Sequence, residues 1–340
     1  MRTYSLLVVL LISLGCGRVI PPASDQAIAV PVGAEALAED NEPAKLDRLG
    51  RPVRFSKTPE RLISLSPATT ELLFALGAGS QIVGATQYCD YPAEASRIPR
   101  VGAGTLQSMS RETILSLSPD LVLCKWDSHQ PLIEWLEGLQ VPVMAIGPET
   151  LQELFEEAAL LGHVLGHEPE AQALIDGMTR RRDRLTSCVE AIPEPQRRTV
   201  FYEVWDEPLM TAGPASFIGE LLVLAGLKNI FFDTSVRYPR VSDEVVVHRD
   251  PEVILAPTTH ADQVSLEILA GRQGWGGIKA IRERQVFLID GDQVSRCGPR
   301  LLDALEQMIQ AAYPEHYSSL RGAAPTVVPG STLTTEEAKH

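Results

Sequence analysis

Two glutamates share an unusual sequence context. Ser110-Arg-Glu112 precedes Pro119-Asp120, and Ser242-Asp-Glu244 precedes Pro251-Glu252 at identical spacing. A serine two residues before a carboxylate is typical of a helix start, which the carboxylate stabilises by about 0.3 to 1 kcal/mol. Capping does not require the arrangement twice, whereas docking on a partner with two equivalent basic sites does. We predict that both glutamates contact such a partner, with capping as the compatible alternative.

A second group of residues follows the predicted strands at their carboxyl ends. In α/β folds, ligands bind at this edge, in the crevice between lobes. Aromatic side chains from both sides suit a large, flat, partly apolar ligand, although each one alone is equally consistent with ordinary packing. The predicted ligand-binding residues are Tyr88, Trp126, Trp205, Tyr238, Asp292 and Arg296.

Motifs for catalysis or for metal binding are missing from the sequence. It has no Walker loop, no Gly-x-Ser-x-Gly elbow and no His-Glu-x-x-His. His163 and His167 are four residues apart without a nearby third ligand, which favours a surface pair over a metal site. We predict no enzyme activity, no cofactor and no metal; the alternatives from other classes are an unrecognised α/β-cleft enzyme and a sensory lipoprotein.

The elements that must position these residues form two similar series. Strand-like runs alternate with helical patterns from Arg61 to Ile146 and again from Thr199 to Ile289, which predicts largely parallel sheets. Glu71-Leu-Leu with Gly77 in the first series matches Glu220-Leu-Leu with Gly226 in the second. The intervening pattern is helical, and its second part lacks a strand signal. We predict an α/β protein of two similar lobes, with one long connecting helix between them.

The ends of the chain predict export and anchoring. A net charge of −14 disfavours a nucleic-acid partner. A charged start and a short apolar run end at Gly15-Cys16, as in a lipoprotein signal; signal-peptide cleavage without lipid is the alternative. The predicted segments are a signal peptide (1–16), a flexible tether (17–46), an N-terminal lobe (47–166), a connecting helix (167–192), a C-terminal lobe (193–316) and a disordered tail (317–340).

Four cysteines remain if Cys16 carries lipid, an even number in an oxidising compartment. Disulfides, thiols near a ligand and buried unreactive thiols are all compatible with their positions. They are Cys89, Cys124, Cys188 and Cys297.

From Arg51 to Tyr313 the chain resembles the cobalamin-binding periplasmic proteins, in the solute-binding class that also serves iron-siderophores and haem. The resemblance includes Ser66-Pro67-Ala-Thr-Thr70-Glu71-Leu72, Asp90-Tyr91-Pro92, Thr211-Ala-Gly213 and Pro299-Arg300, besides the paired glutamates. It implies two Rossmann-like lobes joined by a single long helix, the class III periplasmic binding protein fold, without catalysis.

The resemblance also implies roles for particular residues. Glu112 and Glu244 would meet arginines of an ABC permease-ATPase complex, and Tyr88, Tyr238, Asp292 and Arg296 would line a corrinoid pocket. The expected protein is a periplasmic or extracytoplasmic monomer anchored through Cys16. The chain departs from the family pattern where Met210 replaces an aromatic and where Gly102–Leu106 lacks a tryptophan. An iron-siderophore or haem cargo is the alternative.

Overall fold

The N-terminal lobe is built on a parallel sheet of short apolar strands. Its elements in this computed structural model, which describes residues 45–260 and 264–322, are β1 Leu62–Ser64, α1 Pro67–Ala75, β2 Ile82–Thr86, β3 Arg100–Gly102, α2 Arg111–Ser116, β4 Leu121–Lys125, α3 Gln130–Gly138, β5 Val143–Ile146 and α4 Leu151–Leu165. The strand order is β3-β2-β1-β4-β5. Continuous burial of Leu121–Cys124 is what a strand covered on both faces requires.

The C-terminal lobe repeats this plan with one antiparallel strand. Its elements are β6 Thr199–Asp206, β7 Leu209–Thr211, α6 Phe217–Leu224, β8 Lys228–Asn229, α7 Asp243–Arg249, β9 Val253–Pro257, α8 Leu266–Gly271, α9 Lys279–Arg282, β10 Val286–Ile289, α10 Gly291–Val294 and α11 Leu301–Ala312. The strand order is β10-β9-β6-β7, with β8 parallel to the start of β6. The two-residue connection from β6 to β7 permits only an antiparallel pair.

Helix α5, Glu168–Glu190, connects the lobes over 23 residues. Gly166 ends α4 in the left-handed conformation, with φ 71°, and Pro169 lies in the first turn of α5, where its missing N–H costs nothing. One continuous apolar cluster includes Leu72 of the N-terminal lobe, Leu185 of α5 and Leu305 of the C-terminal lobe. The predicted fold class, two Rossmann-like lobes joined by a single long helix, is confirmed.

The matched sequence segments have matched structural roles. Asp120 accepts hydrogen bonds from the amides of Glu60 and Arg61 at the start of β1, at 2.8 Å each. Glu252 accepts one from the amide of Thr199 at the start of β6, at 2.9 Å. Gly77 and Gly226 both have positive φ, 81° and 69°, just after α1 and α6. The internal repeat therefore reflects two lobes that use the same local solutions.

The structure corrects the predicted ends of the folded body. Helix α12, Pro314–Gly322, includes the first six residues of the tail predicted to be disordered. Tyr317 holds it in place, since its ring is buried and its hydroxyl donates to Glu306 Oε1 at 2.6 Å. Lys45 accepts a hydrogen bond from the amide of Val53, so ordered contacts begin within the predicted tether. The predicted signal peptide, most of the tether and the tail after 322 lie outside the described residues.

Strands β3 and β7 were not predicted from the sequence. Each has three residues and, unlike the equally short β1, does not lie in a longer apolar run that would predict a strand. All four cysteines within the described ranges are free and buried, so the alternative of disulfides among them is wrong. Across residues 45–260 and 264–322, no helix has the length and apolar character that crossing a membrane requires.

Candidate functional site

A cavity of about 670 Å³ lies between the two lobes. On the N-terminal side it opens at the carboxyl ends of β1, β4 and β5, where the strand order reverses between β1 and β4. Ligands of open α/β sheets bind at such a switch point. The cleft is lined by Ser66, Pro67, Ala68, Lys125, Asp127, Gly147, Pro148, Glu149, Val204, Met210, Ser216, Phe217, Ile218, Arg237, Tyr238, Ser295, Arg296 and Cys297.

The N-terminal wall is formed by the start of a helix and by a charged pair. Ser66 and Pro67 begin α1 directly after β1, because a proline in the first helical turn fits the fixed φ of its ring. Lys125 ends β4, and its Nζ lies 3.1 Å from Asp127 Oδ2. Both side chains are about one-third to one-half exposed, so this ion pair can exchange with a ligand group.

The C-terminal wall carries the aromatic surface of the cleft. Tyr238 packs edge-on against Phe217, with ring centroids 6.5 Å apart. Val204 and Met210, from the β6-β7 pair, extend this apolar wall. Burial, together with the nearby Cys297 thiol, raises the pKa of Tyr238 to about 12, so the phenol stays neutral. The wall therefore offers an aromatic face with a hydroxyl donor.

A buried carboxylate links the lobes at one end of the cleft. Glu71 of α1, with its side chain 2% exposed, accepts hydrogen bonds from Arg296 Nη1 at 3.0 Å and from Arg300 Nε and Nη2 at 2.8 and 2.6 Å. Both arginines belong to the C-terminal lobe. We call Glu71, Arg296 and Arg300 the interlobe clamp. Glu220, the repeat equivalent of Glu71, also crosses between lobes and accepts from the amide of Leu151 at 2.9 Å.

Neighbouring groups reinforce the clamp. Arg296 also contacts Asp90 at 2.9 Å and Asp292 at 2.8 Å. Burial alone would lower the pKa of the Arg296 guanidinium, but its hydrogen bonds to Asp90 and Glu71 raise it. The Arg300 guanidinium stacks over the Tyr91 ring at 3.8 Å. Arg296 is therefore a permanently charged group with several carboxylate partners.

A second ion pair joins the lobes across the cleft. Arg237 of the C-terminal lobe pairs with Glu149, which lies between β5 and α4. Glu149 also lies 3.9 Å from Arg48, and Arg48 lies 2.7 Å from Glu153. The Arg237 side chain is 42% exposed, far more than the arginines of the clamp. This pair can open at little cost, whereas the clamp cannot.

The structure brings together two of the six predicted ligand-binding residues. Tyr238 and Arg296 line the cleft, and Asp292 lies beside it as an ion-pair partner of Arg296. Tyr88 and Trp205, 55% and 44% exposed, are not among the residues that line it. Trp205 instead donates its indole N–H to the carbonyl of Glu207 at 2.8 Å.

Trp126, the sixth predicted ligand-binding residue, also lies away from the cleft lining. It is half-buried, and the guanidinium of Arg48 lies 5.8 Å from its ring centroid. Its indole N–H has no partner among the residues that the structure describes. A strand end fixes which edge of the sheet a residue occupies, but the direction of its side chain depends on the next turn of chain.

Sequence reasoning missed four residues that shape the cleft. Glu149 and Arg237 are 88 positions apart, and no local pattern connects them. Lys125 directly follows the predicted strand Leu121–Cys124, so its position at the strand end was the signal that it lies near the cleft. Phe217 is one of several apolar residues in α6, and nothing in the local sequence distinguishes it from the others.

Glu112 and Glu244 occupy equivalent exposed positions. Each is the second residue of its helix, α2 or α7, which precedes the matched strand β4 or β9. The Ser110 side chain caps α2. The Ser242 side chain does not cap α7. It forms a hydrogen bond with the Glu244 carboxylate, which lowers the pKa of that carboxylate. Within the described ranges, neither glutamate forms an ion pair. Both carboxylates are exposed in the first turn of their helices, where they can stabilise the helix start and also meet a partner.

No group of three or more His, Cys, Asp or Glu within the described ranges could hold a metal ion. His163 lies 3.4 Å from Glu168, and His167 lies 3.4 Å from Gln81. These contacts account for the two histidines as polar groups at the junction of α4 and α5.

Two lobes on one long helix, with a cleft at their facing strand ends, define a solute-binding protein. Residues 62–293 match the periplasmic binding protein family Peripla_BP_2, and the chain belongs to this family. Proteins of this family are non-enzymatic transport components, so the expectation of no enzyme activity is confirmed.

Individual relatives agree with this assignment. The chain is 28% identical over 276 residues to an uncharacterized ABC transporter substrate-binding lipoprotein of Bacillus subtilis, covering 80% of this chain and 85% of the relative. It is 32% identical over 256 residues to the vitamin B12-binding protein of Vibrio cholerae, covering 73% and 87%. The crystal structure of a possible iron-binding periplasmic solute-binding protein of Staphylococcus epidermidis superposes with a TM-score of 0.67 at 27% identity, covering 76% and 100%.

These findings confirm the predicted resemblance. The chain is the substrate-binding component of an ABC transporter, in the class that serves vitamin B12, siderophores and haem. Components of this kind work with a membrane permease and its ATPase.

Proposed function

We propose that this protein binds cobalamin or a related corrinoid in the interlobe cleft and delivers it to its permease. The observation that carries the proposal is the 670 Å³ cleft with Tyr238 and Phe217 on one wall, in a chain 32% identical to a vitamin B12-binding protein. An aromatic face beside polar donors suits a large, flat ligand whose rim carries polar groups.

Tyr238 and Arg296 are the proposed ligand contacts within the cleft, with Asp292 acting through Arg296. Tyr88, Trp126 and Trp205 belong to the same proposal as residues outside the cleft lining, and their contact with cargo requires a side-chain or lobe movement. Arg237 can join them once Glu149 is displaced, because this ion pair is partly exposed.

Glu112 and Glu244 are the proposed docking residues for the permease. Their exposure, their equal positions in the two lobes and their lack of ion pairs with other described residues support this role. Two carboxylates on equivalent patches suit two equivalent arginines on a symmetric membrane partner. The proposal includes a monomeric, extracytoplasmic protein that Cys16 anchors through lipid; Cys16 lies outside the described residues.

An iron chelate, either haem or an iron-siderophore, is the second candidate cargo. Two cations of the cleft favour it, because the carboxylate partners of Lys125 and Arg237 are partly exposed and an anionic chelate can displace them. Haem and many ferric chelates carry carboxylates that such groups would bind. The similarity to a possible iron-binding protein supports the same alternative.

Isothermal titration with cyanocobalamin, haem and ferric citrate tests the cargo. We expect saturable 1:1 binding of cyanocobalamin at micromolar concentration or below. Tyr238→Ala should weaken that binding at least about tenfold, because it removes a buried aromatic contact. Saturable binding of haem or ferric citrate alone would replace the corrinoid with the second candidate, and no binding of any of the three would refute both.

Charge reversal tests docking separately. In Glu112→Lys with Glu244→Lys, cargo affinity should stay unchanged while uptake by cells that carry the transporter is lost. The matched control is Glu94→Lys with Glu267→Lys, which reverses one exposed first-turn carboxylate in each lobe. Unchanged uptake in the first double variant would overturn the docking role, and equal loss in both would indicate a nonspecific effect of charge.

A further inference from the structure

The first turn of α1 presents polar groups without partners to the cleft. Ser66, the residue before the helix, is 9% exposed and lines the cavity. Its hydroxyl does not cap the helix and has no hydrogen-bond partner among the described residues. In the other lobe Ser216 occupies the equivalent position, but its hydroxyl accepts from the amide of Gly219 at 3.0 Å and donates to the carbonyl of Gly213 at 2.7 Å.

Two backbone amides of this turn also lack a hydrogen-bond acceptor. The amides of Ala68 and Thr69 donate to no other group in the described part of the chain, as the first amides of an uncapped helix cannot be satisfied internally. The Thr69 hydroxyl, 1% exposed, likewise has no partner there, but Thr69 is not among the residues that line the cleft. Such orphan donors are rare in buried positions, and each leaves a polar group desolvated unless a ligand or solvent accepts from it.

The electrostatics of the turn favour an anion. The amino end of α1, nine residues long, carries the positive end of the helix dipole. Lys125 and Arg296 line the same cavity; Lys125 has the partly exposed Asp127 as partner, and Arg296 has Glu71, Asp90 and Asp292. Glu149 is the other carboxylate on the lining, and it is paired with Arg237.

We propose that the first turn of α1, from Ser66 to Thr69, is an oxyanion subsite that binds a carboxylate or phosphate group of the cargo. The Ser66 hydroxyl and the free amides donate to the anion, and Lys125 approaches it after leaving Asp127. Helix amino ends with free N–H groups bind such anions elsewhere. The inference rests on the proposed function, because it assigns a chemical group to the cargo of the same cleft.

Pairs of cargo molecules that differ only in the anion test the subsite. Haem is compared with haem dimethyl ester, whose carboxylates are blocked, and dicyanocobinamide phosphate with dicyanocobinamide, which lacks the phosphate. For the member that binds, we expect the anionic form to bind at least about tenfold more tightly, as charge-assisted hydrogen bonds imply. Whichever pair shows the difference identifies carboxylate or phosphate as the group bound.

Ser66→Asp provides the decisive variant. Its carboxylate caps α1 and occupies the subsite, so the difference between anionic and blocked cargo should disappear while the blocked form still binds. The control is Ser265→Asp, which adds the same charge at a serine that already caps α8 outside the cleft lining. Equal affinities for both members of a pair in the wild type, or an unchanged ratio in Ser66→Asp, would overturn the subsite and leave the cargo assignment intact.

Inorganic phosphate tests the subsite if none of these macrocycles binds. Millimolar phosphate should then raise the unfolding temperature of the wild type and of Ser265→Asp, with chloride at equal ionic strength as reference, but not that of Ser66→Asp. A shift in this pattern supports the subsite although the proposed cargo has failed. Absence of any phosphate-specific shift would refute the subsite.

Discussion

The interlobe clamp predicts a large loss of stability from a very small change, Glu71→Gln. The amide keeps the size of the side chain but leaves one acceptor oxygen for two guanidinium groups. Its N–H₂ then faces an arginine N–H donor where a carboxylate oxygen accepted before. Glu71 currently accepts three hydrogen bonds of 2.6 to 3.0 Å from Arg296 and Arg300, and its side chain is 2% exposed.

The magnitude follows from the burial of the partners. Removing one member of a buried ion pair typically costs 3 to 5 kcal/mol. Arg296 retains Asp90 and Asp292, and the two arginine side chains are 12% and 17% exposed, so the lower end applies. We expect a loss of about 3 kcal/mol, which corresponds to a fall of roughly 5 °C in the unfolding temperature of a folded body of this size.

Thermal and urea unfolding followed by circular dichroism measure this loss. The control is Glu112→Gln, an exposed position without an ion pair among the described residues, which should stay within about 0.5 kcal/mol of the wild type. A double-mutant cycle with Arg300→Met should give a coupling energy of roughly 1 to 3 kcal/mol. If Glu71→Gln is as stable as Glu112→Gln, the clamp does not hold the lobes together and the reasoning is wrong.

Three further predictions concern stability. Burial raises the pKa of Glu157 to about 7 from an ordinary 4.5. Because the carboxyl of the unfolded chain loses its proton at a lower pH than that of the folded protein, the free energy of unfolding should fall by up to about 3 kcal/mol between pH 4.5 and 7. The urea midpoint of Glu157→Gln should not show this fall with pH. Ser216→Ala should lose about 1 kcal/mol by urea unfolding, because Ser216 caps α6, while Ser66→Ala should lose almost nothing. Dithiothreitol should leave the unfolding temperature of the folded body unchanged, since its four cysteines are free; a drop would contradict that state.

The sequence predicted the architecture because the signals for it are local. Apolar runs such as Leu121–Cys124 identified buried parallel strands, and the strandless stretch around residues 170–189 identified the connecting helix. The repeat of Pro119-Asp120 as Pro251-Glu252 marked two equivalent lobes, and both carboxylates turned out to hold the start of a central strand. Short elements such as β7 escaped, because they do not lie in a longer apolar run.

The sequence predicted which edge of each sheet carries the site, but not which side chains enter the cleft. Trp126 and Trp205 lie at strand ends as expected, yet the cleft is lined by Lys125 and Val204, their immediate neighbours. Successive residues of a strand point to opposite faces, so an offset of one position decides whether a side chain enters a cavity. Nothing local fixes that offset where a strand gives way to a loop.

Glu71 and Arg296 show what each level decided. The sequence alone determined that Glu71 belongs to a repeated helix start and that Arg296 follows the last strand, since periodicity and strand order are properties of neighbouring residues. Only the tertiary structure decided that they meet, 225 positions apart, and that Arg296 is held by carboxylates. Contacts between the lobes depend on how the two lobes pack against each other. No pattern within a short segment of sequence predicts that packing.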